Sequence, residues 1–331
     1  KEFTAPCSSG SMTYPNVSQL MRARNGLGYL TMISIQFGVQ PILVKQFINK
    51  QCMTSSVVLC AELSKVVGCL LIMFSDETAK RCFNNWRIQD CLLAAGIPSV
   101  TYLIQNYCVQ VAYQNLDGVV FNVLNQSKVL FTAFFSFLLN GRTQSLYQCF
   151  ALVLVTAGGV LVSLPSGSTL DDTHQENRMW GLFCAILASG LSGFGSGITE
   201  WALQKHGRNS FLLSLELASM GCIILILTLL LGLSPDSVRL KESGFFLGWQ
   251  VTTFIPVLSQ GLAGIIVGIV TQLAGGVRKV MATICGLILT CLLQQILLGM
   301  HLSWSVLAAV PLVAGGIYLH ASYPPRMQTL A

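Results

Sequence analysis

Ten times along its 331 residues this chain carries a run of about 20 mainly apolar residues, the length a helix needs to cross the hydrocarbon of a bilayer. The runs lie near 26–45, 54–74, 90–112, 116–139, 147–164, 179–203, 211–233, 245–272, 277–299 and 303–321. Backbone N–H and C=O groups find no water there, so runs of this length read as helices, which bond those groups internally. Only 10% of the residues are charged, against roughly 25% in soluble domains. The expected fold class is an all-α integral membrane protein of ten transmembrane helices, with the lipid bilayer as its main partner. The formal charge of +6 comes from Lys and Arg scattered over the loops without a basic run, which argues against a nucleic-acid footprint.

Short breaks separate the runs, at Asn140-Gly141, Pro165 to Thr173, Ser234 to Ser243 and Gly275-Gly276, and they leave no room for a soluble domain. An even number of spans puts both termini on one side. Lys1, Arg22, Arg24, Lys80, Arg81, Arg87, Arg142, Lys205, Arg208, Arg278 and Arg326 fall on that side. That is roughly twice the number opposite, so the positive-inside rule predicts cytosolic termini. The sequon at Asn16 then faces the cytosol, and the one at Asn125 lies within a helix, so neither is expected to be glycosylated.

The chain also carries a weak internal repeat. Lys128-Val129 is followed by Leu154-Val155-Thr156-Ala157-Gly158-Gly159-Val160, and Lys279-Val280 by Leu312-Val313-Ala314-Gly315-Gly316-Ile317. Both lysines fall in the fourth helix of a five-helix block, and blocks with an odd number of spans insert in opposite senses. The expected organisation is a cytosolic segment (1–25), a first repeat (26–164), a linker (165–178), a second repeat (179–321) and a tail (322–331). A site is expected in the central cavity between the two inverted repeats.

An ionisable group in a spanning helix costs roughly 2.5–3.5 kcal/mol even on lenient scales, so each needs a reason. Lys128 lies near the middle of the fourth run, too deep to snorkel, on a polar face with Phe121, Asn125 and Thr132, beside Asn122 and Gln126. That face suits a substrate, or else a buried ion pair. Lys279 lies only a few residues into the ninth run and could be an interfacial anchor with Arg278. Its repeat equivalence to Lys128, the continuation of its face by Thr283, Gly286 and Thr290, and the helix N-terminus after Gly275-Gly276 point instead to an anion such as phosphate. Glu62 and Lys65, one turn apart, read as a structural pair. Glu200 and Glu216 are single intramembrane carboxylates, able to hydrogen-bond a sugar or pair with a lysine. Tyr102, Asn106, Gln110 and Tyr113 share a face suited to a base and ribose, or to interhelical hydrogen bonds. The small-residue run Ser189-Gly190, Ser192-Gly193, Ser196-Gly197 reads as close helix packing. The twelve cysteines sit singly without metal-ligand spacing, and no phosphate loop, dinucleotide fingerprint or catalytic constellation is present. No metal or cofactor is expected, and no enzyme.

Taken together, Pro98-Ser99-x-x-Tyr102-x-x-Gln105-Asn106, Asn115-Leu116-Asp117, Asn125-Gln126-Ser127-Lys128 with Thr132-Ala133-Phe134-Phe135, and Gly275-Gly276-Val277-Arg278-Lys279 resemble the nucleotide-sugar transporters of the drug/metabolite transporter superfamily. The similarity is to the branch that carries CMP-sialic acid, UDP-galactose and UDP-N-acetylglucosamine, and it runs from Gly26 onward. It extends over Thr54-Ser55-Ser56, Glu62, Lys65, Glu200 and Gly244-Phe245-Phe246-x-Gly248. The resemblance implies ten helices in two inverted halves in a Golgi or endoplasmic reticulum membrane. It implies exchange of a cytosolic nucleotide sugar for a lumenal nucleoside monophosphate, and leaves a homodimer open. It places the family's two substrate lysines on Lys128 and Lys279, and aromatic and amide contacts on Phe121, Asn122 and Asn125. Asn125 stands where CMP-sialic acid carriers have a tyrosine and Ser214 where they have an asparagine, while the Gly-Gly-Val-Arg-Lys string is similar to plant-type UDP-N-acetylhexosamine carriers. The rival readings are a proton-coupled exporter of small metabolites on the same scaffold and a membrane enzyme, which would need an acid/base or metal cluster.

Overall fold

Apolar runs rich in Leu, Ile, Val and Ala form the long helices of this chain, and the computed structural model describes residues 17–324 except 50, 76–77, 85, 117, 165–177, 235 and 300–302. The expected linker up to residue 177, the tail beyond 324, Lys1, Arg326 and the Asn16 sequon lie outside the described residues. In chain order the helices are α1 (Val17–Phe47), α2 (Thr54–Ser75), a short α3 (Thr78–Asn84), α4 (Ile88–Asn115), α5 (Gly118–Asn125), α6 (Lys128–Asn140), α7 (Leu146–Ser163), α8 (Arg178–Lys205), α9 (Ser210–Leu230), a short α10 (Asp236–Ser243), α11 (Val251–Ala274), α12 (Gly276–Leu298) and α13 (Trp304–Ser322). Nine of these are long and apolar enough to cross a membrane among the described residues.

The tenth expected span is where sequence and structure part. The run near 116–139 is two helices, α5 and α6, joined through Gln126 and Ser127. There the amides of Gln126 and Ser127 bond three residues back, to Val123 and Leu124 (3.2 and 3.0 Å). The Ser127 hydroxyl donates to the same Leu124 carbonyl at 2.6 Å, a local competition that tightens the turn. Lys128 is thus the first residue of a helix, not the middle of one, and Asn125 ends the helix before it. Two further differences lie at connections: the Ser234 to Ser243 break holds α10, and the eighth span begins at Val251 rather than 245.

Within α4 and α8 one turn widens to a π-helix, at Leu92–Gly96 and Trp201–Lys205. In α4 this turn precedes Pro98, whose ring lacks the N–H that would bond four residues back.

α8 is the most enclosed span, with 56% of its apolar window buried against 17% for α1. Its small residues allow this. A methyl group on Gly193 would lie 2.7 Å from the Phe131 carbonyl carbon, so α6 crosses α8 almost backbone to backbone. α12 meets α1 in the same manner, with Gly286 facing the Ser34 carbonyl and Gly38 facing Leu289. The Asn140 amide donates to the Gly197 carbonyl at 3.3 Å across the first contact, and the Thr290 hydroxyl to the Gly38 carbonyl at 3.0 Å across the second. α7 packs on α13 reciprocally, Gly158 against Val313 and Gly316 against Val155. α4 packs on α8 as α11 packs on α1, and α2 packs on α9.

The two ends of the bundle are fixed by polar contacts. At one end the 47–54 and 230–251 connections meet: the Ser55 amide donates to Asp236 (2.9 Å) and the Thr253 hydroxyl to the Phe47 carbonyl (3.2 Å). At the other, Gln204 donates to the carbonyls of Thr271 and Gln272 at the α11–α12 junction, and Arg142 donates to Gln204. Outward faces carry large apolar side chains such as Leu71, Phe74, Leu146 and Trp304, more than half exposed.

Candidate functional site

A cavity of about 360 Å³ opens between α2, α4, α9 and α11 and reaches the first turn of α12, within the roughly 300–1,000 Å³ range of small-molecule sites. Its polar lining includes Glu62 and Lys65 from α2, Tyr102 and Asn106 from α4, Ser214 from α9 and Lys279 from α12, with the hydroxyls of Ser99, Thr199 and Thr228. Glycines make room for these groups. Gly264 of α11 passes against the Lys65 stem, Gly268 against the Ser214 hydroxyl, and Gly195 of α8 against the Tyr102 ring.

Lys279 faces this cavity rather than a headgroup region. Gly275, at φ +87°, adopts a conformation that favours glycine, and it ends α11 and starts α12 within one residue. Lys279 is in the first turn of α12, with the free N–H groups and positive dipole end of that helix beside it. Its ammonium donates to the Ser196 hydroxyl at 3.0 Å. Glu200 lies beneath this turn, 1% exposed. One carboxylate oxygen is 3.3 Å from Arg142, the other accepts from the Ser136 hydroxyl at 2.9 Å. Glu200 lies against Gly275 and Gly276, at the start of the helix that carries Lys279, and α6, which begins with Lys128, packs on α12. Lys128 has neither an ion-pair nor a hydrogen-bond partner for its ammonium among the described residues. Glu62 and Lys65 form the expected pair, at 2.7 Å, and face the cavity.

Tyr102, Asn106, Ser214 and Lys279 are therefore brought together in one cavity. The other sequence candidates are placed elsewhere. Phe121 is buried in the α4, α5 and α8 core, its ring 4.1 Å from that of Tyr113. Asn122 is exposed and Asn125 half-buried at the end of α5. Thr283 donates to the Lys279 carbonyl at 3.0 Å, a bond within its own helix. Glu216 does not reach the cavity lining: it is held by Arg208, with Nε to Oε2 at 2.9 Å, and by the Trp86 indole at 2.7 Å. Sequence pattern assigns Ser196 to close helix packing and Arg142 to the orientation of the loops, and it gives Ser136 and Gln204 no role, so none of the four is a sequence candidate for the site.

Chemically, the cavity offers a cation at a helix N-terminus, a tyrosine face and amide, hydroxyl and carboxylate groups. Such a set is chemically suited to a phosphorylated, partly aromatic and partly hydroxylated molecule. No group of three or more metal-ligating residues occurs among the described residues.

Residues 29–321 match the family described as "Nucleotide-sugar transporter". The UDP-N-acetylglucosamine transporter ROCK1 of Arabidopsis thaliana is 36% identical over 301 residues, covering 90% of this chain and 92% of that protein. The UDP-N-acetylglucosamine transporter of Homo sapiens is 29% identical, covering 73% and 76%. The UDP-galactose translocator of Mus musculus is 26% identical, covering 81% and 70%. A crystal structure at 9% sequence identity superposes with a TM-score of 0.68 over 92% of this chain and 99% of the other, a likeness of fold.

Proposed function

The chain belongs to the nucleotide-sugar transporter family, and from that premise we propose that it carries a UDP-linked sugar from the cytosol into the Golgi or endoplasmic reticulum lumen in exchange for UMP. The carrying observation is Lys279, a cation at a helix N-terminus in a cavity that also holds Tyr102, Asn106 and Ser214. In this reading Lys279 and Lys128 meet the phosphates, Tyr102 and Asn106 meet the base and ribose, and Ser214 lies toward the sugar. The relatives named for UDP-N-acetylglucosamine favour a uridine substrate over CMP-sialic acid.

The architecture we propose is ten spans across the bilayer, counting α5 and α6 as one, in two inverted halves, 26–164 and 179–321. Support comes from packing that recurs when the halves are exchanged: α6 on α8 as α12 on α1, α4 on α8 as α11 on α1, and the reciprocal Gly158–Val313 and Gly316–Val155 contacts. The excess of loop cations at the end holding Arg142 and Lys205 supports a cytosolic position for that end and for both termini. Rocking of the halves then exposes the cavity to each side in turn. Exchange follows in this reading because the Lys128 ammonium, without an ion-pair or hydrogen-bond partner among the described residues, opposes reorientation of the empty carrier until a nucleotide neutralises it.

Titration calorimetry on the purified protein tests the site. UMP and UDP-N-acetylglucosamine should bind, and Lys279→Ala should weaken both by about 10–100-fold, the worth of a charge-assisted hydrogen bond. Unchanged affinity in that variant would remove Lys279 from the site.

A further inference from the structure

Two tryptophans stand at opposite ends of the bundle, and the chain around them repeats. Phe83-x-x-Trp86 ends one residue before α4, and Phe246-x-x-Trp249 ends one residue before α11. α4 and α11 are the third spans of their respective halves. In both copies the Trp amide bonds the Phe carbonyl, at 3.3 and 3.2 Å. In both, the residue between Trp and helix, Arg87 or Gln250, is extended at φ −126°.

The indoles also do the same thing. Trp86 Nε1 donates to Glu216 Oε1 of α9 at 2.7 Å, and Trp249 Nε1 donates to Ser56 Oγ of α2 at 2.9 Å. α9 and α2 are the second spans of the opposite halves. Each tryptophan therefore bonds from the approach to its own third span to the second span of the other half. A tryptophan that merely anchors at a headgroup region keeps its N–H there, whereas neither of these does.

Both acceptors are held in place. Arg208 fixes Glu216, while Ser56 donates onward to the Met53 carbonyl at 2.8 Å and the next amide back, that of Ser55, is tied to Asp236. The helices that each bond joins, α4 with α9 and α11 with α2, border the cavity.

We propose that Trp86 and Trp249 are a symmetry-related pair of latches, one at each end of the cavity, that part in alternation. The tie that each bond makes between two cavity-bordering helices follows from the geometry; the closing and its alternation rest on the transporter reading above. A carrier open at both ends leaks, so one latch holds whenever the other is released. The two are unequal. Trp86 bonds a carboxylate and Trp249 a hydroxyl, and the neutral bond is the weaker. The Trp249 end opens first in the empty protein.

Hydrogen–deuterium exchange of the full-length protein in lipid nanodiscs tests this, using Trp→Phe substitutions that keep a ring and remove the N–H. Trp249→Phe should speed exchange in 51–57 and 245–253 roughly fivefold and leave 208–216 unchanged. Trp86→Phe should speed exchange in 86–92 and 208–216 roughly tenfold or more and leave 51–57 unchanged. Ser56→Ala should reproduce Trp249→Phe, and the double variant should match either single one. Equal effects at both ends, no effect at either, or additive effects in the double variant would overturn the latches. If Trp86→Phe fails to fold, Glu216→Gln, which keeps an acceptor without its charge, should give a smaller change confined to the same end, and a change at both ends would overturn the proposal. UDP-N-acetylglucosamine should suppress opening at one end or the other. If it binds neither the wild type nor the variants while the end-specific pattern holds, the latches stand and the transport reading fails.

Discussion

Lys128 and Lys279 differ in what holds them, and that difference sets what each substitution does. Lys279 has Ser196 as a hydrogen-bond partner and Glu200 nearby, whereas the Lys128 ammonium makes no hydrogen bond or ion pair among the described residues. Lys128→Ala should leave the melting temperature unchanged or raise it, because an unpaired, half-buried charge in an apolar run is a burden on the fold, while exchange activity in proteoliposomes falls to background. Glu200→Gln keeps an acceptor for Ser136 and removes the negative charge near Lys279. It should tighten UMP binding by about fivefold, on the order of 1 kcal/mol at an effective dielectric near 20, and slow turnover through slower release; calorimetry and initial rates read the two effects separately. The lysines were legible in the sequence because a charge in an apolar run is costly and so needs a reason. Ser196 and Ser136 were not, since a hydroxyl in a helix can satisfy itself on the preceding turn. Glu216 was legible as an intramembrane carboxylate, but its partners, Trp86 and Arg208, lie in connections that periodicity does not place.

At the scale of elements, length and apolarity located nine spans among the described residues to within a few residues, apart from α11, which starts later than expected; helix α1 extends back to Val17, but its apolar span starts at Gly26 as expected. The exception is instructive. Asn125-Gln126-Ser127 interrupts the fourth run because Ser127 bonds the Leu124 carbonyl, a local competition that a hydrophobicity count averages away. The consequence bears on the proposed site: Lys128 begins α6 and Lys279 lies in the first turn of α12, so both lysines stand at helix starts. Ser127→Ala should remove the competing hydroxyl, straighten the junction and reduce exchange activity more than stability, as followed by transport rates against melting temperature. The small residues of α8 supply a second test. Gly193→Ala places a methyl 2.7 Å from the Phe131 backbone, and overpacking of this kind costs roughly 1–3 kcal/mol, so the melting temperature should fall. Gly190→Ala, whose methyl would meet nothing closer than 3.8 Å, should leave it nearly unchanged.

On the scale of the whole molecule, the proposed repeat rests on the sequence pattern around Lys128, Lys279 and the paired glycines and is supported by helix contacts that recur when the proposed halves are exchanged. The Phe-x-x-Trp pair fits that proposal but is too short to be recognised without the bonds its indoles make. The site, by contrast, was only half legible: Tyr102, Asn106, Ser214 and Lys279 converge in the cavity, while Phe121 packs in a core and Glu216 ties an end of the bundle. Distance along the helices was readable from sequence, but the rotation of each helix about its axis was not, since that is set by glycine contacts between distant segments. The measurement that tests the whole account most directly is uptake of labelled CMP-, UDP- and GDP-sugars into proteoliposomes holding the purified protein and preloaded with CMP, UMP, GMP or buffer. The account predicts uptake of a UDP-sugar that is strongly stimulated by internal UMP and abolished by Lys128→Ala. Uptake driven by a pH gradient with no dependence on internal nucleotide would contradict it.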